Sequence, residues 1–409
     1  MTNVPDIEYG TQRRFPSGTD LPPLMAIAAT NNPYYAYEAG KISAMEGRAL
    51  GIHWNFSPVT DVNNNPNNPI INTRSFGEDP NDVGKFAVQF IKGLQDHGML
   101  ATAKHFPGHG DTETDSHTSL ATIPSDSSRL WSLELKPFQT VIDAGVDAMM
   151  VAHVHAPDFQ PNANLPATLS SFWVTDILRK EMGFNGVVVT DAMGMGGVTR
   201  NYSDPYALIH AINAGCDFIL QNYNLKRSID NVEDAVKRGI ISEERINDAA
   251  LKMLKLKEKV SLQQQRYISM NETKKILGNE EFRVSANEIA SKSITLVKND
   301  NNVIPFIPYK YKKVTHVLLS TDSDLRSRLK PFVRDINYIH ANVQEIYVND
   351  PLTELGMQDV INKAANSDYI IVSMLIRISM DKGISTIHST HDKLLKNLKK
   401  LNKPIVGIS

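Results

Sequence analysis

The chain has 409 residues, with 43 Lys and Arg against 45 Asp and Glu, a net charge of −2 and 41% apolar residues, an ordinary globular composition that excludes a disordered or fibrous chain. Near-neutral charge without a long basic run argues against a nucleic-acid or anionic-membrane surface, and no window approaches the roughly 20 apolar residues of a membrane span. The lone cysteine, Cys216, excludes an internal disulfide and a Cys-based zinc site.

The length points to two domains. Residues 1–6 contain neither a basic n-region nor an apolar h-region, so no signal peptide is expected. That places the chain in the cytoplasm by default, although an N-terminus cut short would fit a periplasmic or exported protein equally well. Up to about residue 260, strand-like and helix-like segments alternate, the pattern of a parallel sheet with crossover helices. Residues 4–7 read as the end of a first strand. Short apolar runs at 52–59, 99–104, 148–153, 187–190 and 218–221 suit strands buried on both faces. Asp79-Pro80 is an N-cap followed by proline at the first helical position, and Val83, Phe86, Ala87, Phe90, Ile91 and Leu94 follow at helical spacing. Ser170 or Ser171 opens a further helix ending at Gly183. Ser242 opens another, with Ile246, Ala250, Met253 and Leu254 on one face.

Residues 257–279 are polar and read as an interdomain linker. Strand patterns then resume at 294–297, 314–320, 369–374 and 405–408, with a helix around 352–365 and a Lys-rich helix whose charges form a solvated face. A three-layer α/β unit fits that alternation. A closed barrel needs eight βα units in about 250 residues, and fewer strands are visible here.

Three segments carry polar residues where chemistry would sit. Residues 104–117, Lys-His-Phe-Pro-Gly-His-Gly-Asp-Thr-Glu-Thr-Asp-Ser-His, place three His and three acids directly after a buried strand. In a parallel barrel that position faces the active site, and Gly108 and Gly110 would let the loop reposition a side chain. The loop lacks the helical two-His spacing of a metal site; a solvated polar loop is the alternative. The strand at 187–190 ends in a lone carboxylate, Asp191, which suits a nucleophile, a base or a helix cap. Residues 72–80 put Arg74 in a loop after the strand 52–59. His153 reads as a structural histidine and Asp61 as an architectural residue. Met193 and Met195 suit a pocket wall, and Cys216 a small buried hydrophobe.

Together, residues 55–63, 74–80, 104–112, 115–117 and 135–138 and the strand ending at Asp191 resemble glycoside hydrolase family 3, and within it the β-N-acetylglucosaminidase branch. The resemblance runs from about Asp6 to Leu256 and more weakly beyond. It implies an α/β architecture: a TIM-like (β/α)8 barrel lacking its first βα unit over residues 1–258, a linker over 259–281, and an incomplete α/β sandwich over 282–409. It further implies a retaining two-step hydrolysis of terminal β-N-acetylglucosamine from peptidoglycan fragments or chitooligosaccharides, with no metal or cofactor and with a carbohydrate substrate as partner. Asp191 matches the nucleophile, His117 the acid/base and Asp115 its orienting partner. Lys104, His105 and Arg74 match sugar-binding residues. Asp6 and Arg14 match a further pair, although the family's double glycine after that Asp stands here as Tyr9-Gly10. The chemistry is consistent with the match: an unperturbed imidazole titrates near 6.5 and needs little tuning for proton transfer, and a neighbouring carboxylate fixes its tautomer. Phosphorolysis by the same residues, β-glucosidase activity and a catalytically silent sugar-binding chain are the alternative readings.

Overall fold

The structure is a computed structural model that describes residues 6–124, 126–160, 165–220, 224–264, 267–320, 325–340, 342–348, 351–375 and 387–409, without the side chains of 325–328. Residues 4–5 of the expected first strand, and Gln221, lie outside the described residues. The chain divides into two compact units, Met1–Thr295 and Leu296–Ser409.

The first unit is built on parallel segments that all end on the same side. Its strands are β1 (Thr102–Phe106), β2 (Ala121–Thr122), β3 (Ala148–Val151), β4 (Val154–His155) and β5 (Val187–Thr190). β1, β3 and β5 pair in parallel, with Thr102 opposite Ala148 and Ala148 opposite Val187. They are buried on both faces, which explains their continuous apolar runs. The expected strands at 52–59 and 218–221 are present as shorter pairings. Trp54 bridges Leu100, Val59 bridges Lys104, and Phe218 bridges Val189. Ile7 is tied to the same row through the Asn55 side chain, which accepts from its N–H and donates to its carbonyl, both at 3.0 Å. Six successive segments therefore present their C-terminal ends together.

Helices cover the outside. Pro80–Asp96 begins as the sequence implies: the Asp79 carboxylate accepts from the Asn81 and Asp82 amides, and Val83, Phe86, Ala87, Phe90, Ile91 and Leu94 are buried. It packs against Tyr34–Ala49 through glycines. A Cβ on Gly40 would lie 2.2 Å from the Phe90 carbonyl, and one on Gly93 2.2 Å from that of Tyr37. The helix Phe172–Glu181 and Gly183 at φ +73° fit the expected element and its stop, as does Glu243–Lys259 behind its Ser242 cap.

Two expectations need correction. The polar stretch 259–281 is not an extended linker: helices Met270–Ile276 and Glu280–Ser293 pack on the first unit. The Thr273 hydroxyl donates to the Ala49 carbonyl, and Phe282, Ala286 and Ile289 join the main core. Those three residues form a helical stripe four and three apart, partly hidden by the polar residues between them. Residues 294–297 form no strand; Ile294, Leu296 and Val297 are exposed and pair with nothing in the described sheets.

The second unit is a four-stranded parallel sheet of β6 (Val314–Ser320), β7 (Val343–Val348), β8 (Tyr369–Leu375) and β9 (Ile405–Ile408), in the order β7-β6-β8-β9. Val317 and Leu319 face the helices Glu354–Ala365 and Ser389–Lys399, while Leu318 faces Leu325–Ile339. Helices thus cover both faces, giving the expected three layers. Among the described residues no helix is long and apolar enough to cross a membrane.

Candidate active site

The strand ends bring Asp6, Glu8, Asp61, Lys104, His105, His153 and Asp191 to one face of the first unit. Asp191 follows β5 directly. Its amide donates to the Val151 carbonyl at 2.9 Å, and its Oδ1 accepts from the Ala192 amide at 2.7 Å. Burial raises its pKa, but His105, His153, the Ala192 N–H and Lys104 outweigh burial and hold the carboxyl below its ordinary value.

The buried carboxylate of Asp61 accounts for the base of the 104–117 loop. Its Oδ2 accepts from the amide and Nδ1 of His105, and its Oδ1 accepts from the His109 amide at 2.7 Å. Since a carboxylate can only accept, His105 carries its proton on Nδ1 and leaves Nε2 for a ligand. Asn68 fastens the next stretch, its Nδ2 donating to the carbonyls of His109, Gly110 and Thr112. The glycines act differently from the expected freedom of movement. A Cβ at Gly110 would sit 1.6 Å from the Val62 carbonyl, so the residue is needed for close approach; Gly108 holds φ at +128°.

At the loop's far end, Asp115 Oδ1 accepts from the His117 amide at 2.8 Å and from its Nδ1 at 2.7 Å. The imidazole is 38% exposed and the Asp115 side chain 5%. This hydrogen bond, opposed by burial and joined by the charges of Asp115 and Asp191, raises the His117 pKa. The ring therefore carries Nδ1–H, with Nε2 free to give and take a proton. His109 is a brace: Nδ1 meets the Thr112 hydroxyl at 2.6 Å and Nε2 the Ser116 hydroxyl at 2.8 Å, and burial lowers its pKa to about 4.

Arg74 and Lys104 meet on a residue the sequence reading missed. Glu8 accepts from Arg74 Nε at 3.0 Å and Nη2 at 2.8 Å, and lies 2.7 Å from Lys104 Nζ, which also reaches Asp6 at 2.7 Å. Burial would raise the Glu8 pKa, but Arg74 and Lys104 hold it well below the ordinary value. Burial likewise works against Lys104, yet Asp6 and Glu8 raise its pKa. The available signal was the interval: Asp6 and Glu8 lie two apart, the spacing that puts side chains on one side of a strand, the element expected at residues 4–7. Arg14 is not brought in; it is exposed, in a turn where its amide donates to the Thr11 carbonyl.

His153 is buried beneath Asp191, with Nε2 3.0 Å from the Ala192 carbonyl and Nδ1 2.8 Å from the Thr168 hydroxyl. Burial lowers its pKa, so a neutral ring donates from Nε2. Cys216 is buried, its thiol pushed up to about 12. Among the described residues no group of three or more His, Cys, Asp or Glu is arranged to hold a metal.

A parallel α/β domain with an ionised carboxylate and a carboxylate-bound histidine at its strand ends defines a class, and comparison with known proteins defines the family. Residues 2–256 match the glycosyl hydrolase family 3 N-terminal domain. A β-N-acetylglucosaminidase/β-glucosidase of Cellulomonas fimi is 32% identical over 318 residues, covering 76% of this chain and 56% of the relative. A β-hexosaminidase of Stenotrophomonas maltophilia is 41% identical over 223 residues, covering 53% of this chain and 65% of the relative. The solved family 3 β-N-acetylglucosaminidase of Paenibacillus superposes with a TM-score of 0.82 at 32% identity, covering 96% of this chain and 74% of that one. The chain belongs to glycosyl hydrolase family 3. It spans between about half and two thirds of the length of these two curated relatives.

Proposed function

We propose that this chain is a retaining exo-glycosidase that removes terminal β-linked N-acetylglucosamine from peptidoglycan fragments or chitooligosaccharides. The reading rests on one pairing: the carboxylate of Asp191, held ionised, with the raised pKa of His117, whose Nδ1 is committed to Asp115. In the first step Asp191 attacks the anomeric carbon, forming a glycosyl ester as the bond to the leaving oxygen breaks, and His117 Nε2–H protonates that oxygen. In the second, neutral His117 takes a proton from water, the oxygen attacks the anomeric carbon, and Asp191 leaves. This is the retaining scheme with an imidazole in place of the usual carboxylic acid. Lys104, His105, Arg74 and Asp6 hold the sugar hydroxyls. We read residues 1–295 as a TIM-like catalytic barrel domain and 296–409 as an α/β sandwich domain.

The names of the Stenotrophomonas β-hexosaminidase and the Paenibacillus β-N-acetylglucosaminidase support N-acetylglucosamine as the sugar, while the Cellulomonas relative is named for β-glucosidase activity as well. The test is hydrolysis of 4-nitrophenyl β-N-acetylglucosaminide against the β-glucoside, with and without inorganic phosphate, by wild type and Asp191→Ala. The expected outcome is N-acetylglucosaminide cleavage independent of phosphate, reduced on the order of 10⁴-fold in the variant, as for loss of a nucleophile. Preference for glucoside would overturn the substrate, strict phosphate dependence would make the enzyme a phosphorylase, and undiminished turnover by the variant would overturn Asp191. Sugar binding without turnover in the wild type would leave a binding module.

A further inference from the structure

The turn after Asp191 makes a second connection, to the loop that carries His117. The Gly196 amide donates to the His117 carbonyl at 2.9 Å, and the Gly197 amide to the Ser116 carbonyl at 3.0 Å. The contact is close because neither residue has a side chain. A Cβ on Gly196 would fall 2.4 Å from the Thr118 oxygen, 2.6 Å from the Thr118 carbonyl carbon and 2.8 Å from the His117 oxygen. A Cβ on Gly197 would meet His153 Cβ at 3.0 Å and the Ser116 oxygen at 3.1 Å. The obstacles at Gly196 are backbone atoms, so an added methyl there displaces the loop, whereas at Gly197 the backbone and the Cβ of buried His153 would have to give by a few tenths of an ångström. The same turn is fixed from below, where His153 Nε2 donates to Ala192. Asp191, the glycine pair and His117 thus form one mechanical unit, in which the backbone after the carboxylate sets the place of the imidazole.

We infer that Gly196 and Gly197 are positioning residues for proton transfer: their amides dock the 115–119 loop so that His117 Nε2 meets the leaving oxygen. The inference rests on the acid/base assignment of His117 made above. It makes a claim that a merely structural role would not: damage at Gly196 scales with how much a substrate needs a general acid. An aryl leaving group of low pKa departs unaided, whereas a sugar or a methoxyphenol requires the proton.

The experiment compares kcat/KM for 2,4-dinitrophenyl, 4-nitrophenyl and 4-methoxyphenyl β-N-acetylglucosaminides in wild type, Gly196→Ala, Gly197→Ala and His117→Ala, using the full chain. For Gly196→Ala, a loss of about 10- to 100-fold is expected on the methoxyphenyl substrate, a fraction of the 10²–10⁴ that general acid catalysis supplies. Less than about threefold is expected on the dinitrophenyl substrate, so the dependence on leaving-group pKa steepens. In the His117→Ala background, Gly196→Ala should add nothing. Equal losses on all three substrates, or none, would overturn the inference. Should Gly196→Ala fail to fold by circular dichroism, Gly197→Ala decides the matter: it should show the same leaving-group pattern at smaller amplitude, and its absence overturns the inference. If His117→Ala itself shows no leaving-group dependence, the acid/base assignment has failed; if only the glycine variants lack it, the docking role alone has failed.

Discussion

The two halves of the site are held by different forces. Glu8, Arg74 and Lys104 are buried ions satisfied by one another, Arg74 twice over on one carboxylate. The loop bearing Asp115 and His117 has the Asp61 carboxylate at its base and the partly exposed Arg129–Asp111 ion pair along it, and is otherwise held by neutral contacts: the Asn68 amide, the His109 ring on two hydroxyls, and two glycine amides. Parting a buried ion from its partner costs about 3–5 kcal/mol, whereas a neutral hydrogen bond is worth about 1 kcal/mol net and can be exchanged for water. The difference suits the two tasks. In the proposed mechanism the sugar hydroxyls would keep the same partners in both half-reactions and be met by a prepaired cluster. The imidazole would serve a leaving alcohol and then an incoming water, and sits on the part that can yield by a fraction of an ångström.

The largest expected effect is on the loop side. His117→Ala should lower kcat/KM for 4-methoxyphenyl β-N-acetylglucosaminide by about 10²–10⁴, with thermal stability little changed because the ring is substantially exposed. Asp115→Asn sharpens the point through pH. Asp115 raises the His117 pKa chiefly by its hydrogen bond, so the protonated acid persists to higher pH in wild type. Without that carboxylate, the basic limb of the kcat/KM profile should move to lower pH. A limb that stays in place would assign it to another group.

The cluster side should fail differently. Glu8→Gln leaves Arg74 and Lys104 buried with a neutral partner, and a loss approaching the ~3–5 kcal/mol of a broken buried pair is expected in urea denaturation. In activity the effect should appear in KM more than in kcat, if the cluster has the proposed role of binding the sugar. The native pKa of Glu8 lies below its unfolded value near 4.5. Its contribution is therefore fully present above pH 4.5 and is lost as pH falls through the lower native value. Glu8→Gln should consequently flatten the acid side of the stability profile.

Much of this was legible in the sequence because it depends on local pattern. The N-cap at Asp79, the apolar stripe behind it and the strands 187–190 and 314–320 follow from spacing alone. The positions of Lys104, His105 and Asp191 follow from strand ends, while the pairing of Asp115 with His117 was implied by the resemblance to the family. What stayed hidden depends on partners far along the chain. Glu8 is defined by residues 66 and 96 positions away, and the segment 270–293 declares itself a packed helix pair only against Tyr35, Glu46 and Ala49. The strand expected at 294–297 has the right composition but meets no neighbour in the described sheets, and an isolated apolar run cannot form a ladder. Gly110 illustrates the same gap: as a loop glycine it suggested freedom, while its surroundings require closeness.

The smallest effect tests whether the loop's neutral attachment is graded. Ser116→Ala removes one hydroxyl from His109 Nε2 and leaves the Gly197 contact intact, since that bond uses the Ser116 carbonyl. About 1 kcal/mol of loop docking should be lost, which is about fivefold in kcat/KM on an acid-requiring substrate and little on an activated one. The His109 ring adds a pH signature. Its native pKa is near 4 against an ordinary value of 6.5, so the folded loop binds fewer protons than the unfolded one and loses stability as pH falls from 6.5 toward 4. Below pH 4 His109 is charged in both states and the loss is complete. Activity should therefore fade on the acid side by loosening of the loop, before Asp191 is protonated. Ser116→Ala removes a ring contact, so its deficit should be largest at neutral pH and shrink toward pH 4, where the charged ring has already disturbed the brace. A deficit constant across that range would mean that the Ser116 hydroxyl acts independently of the histidine.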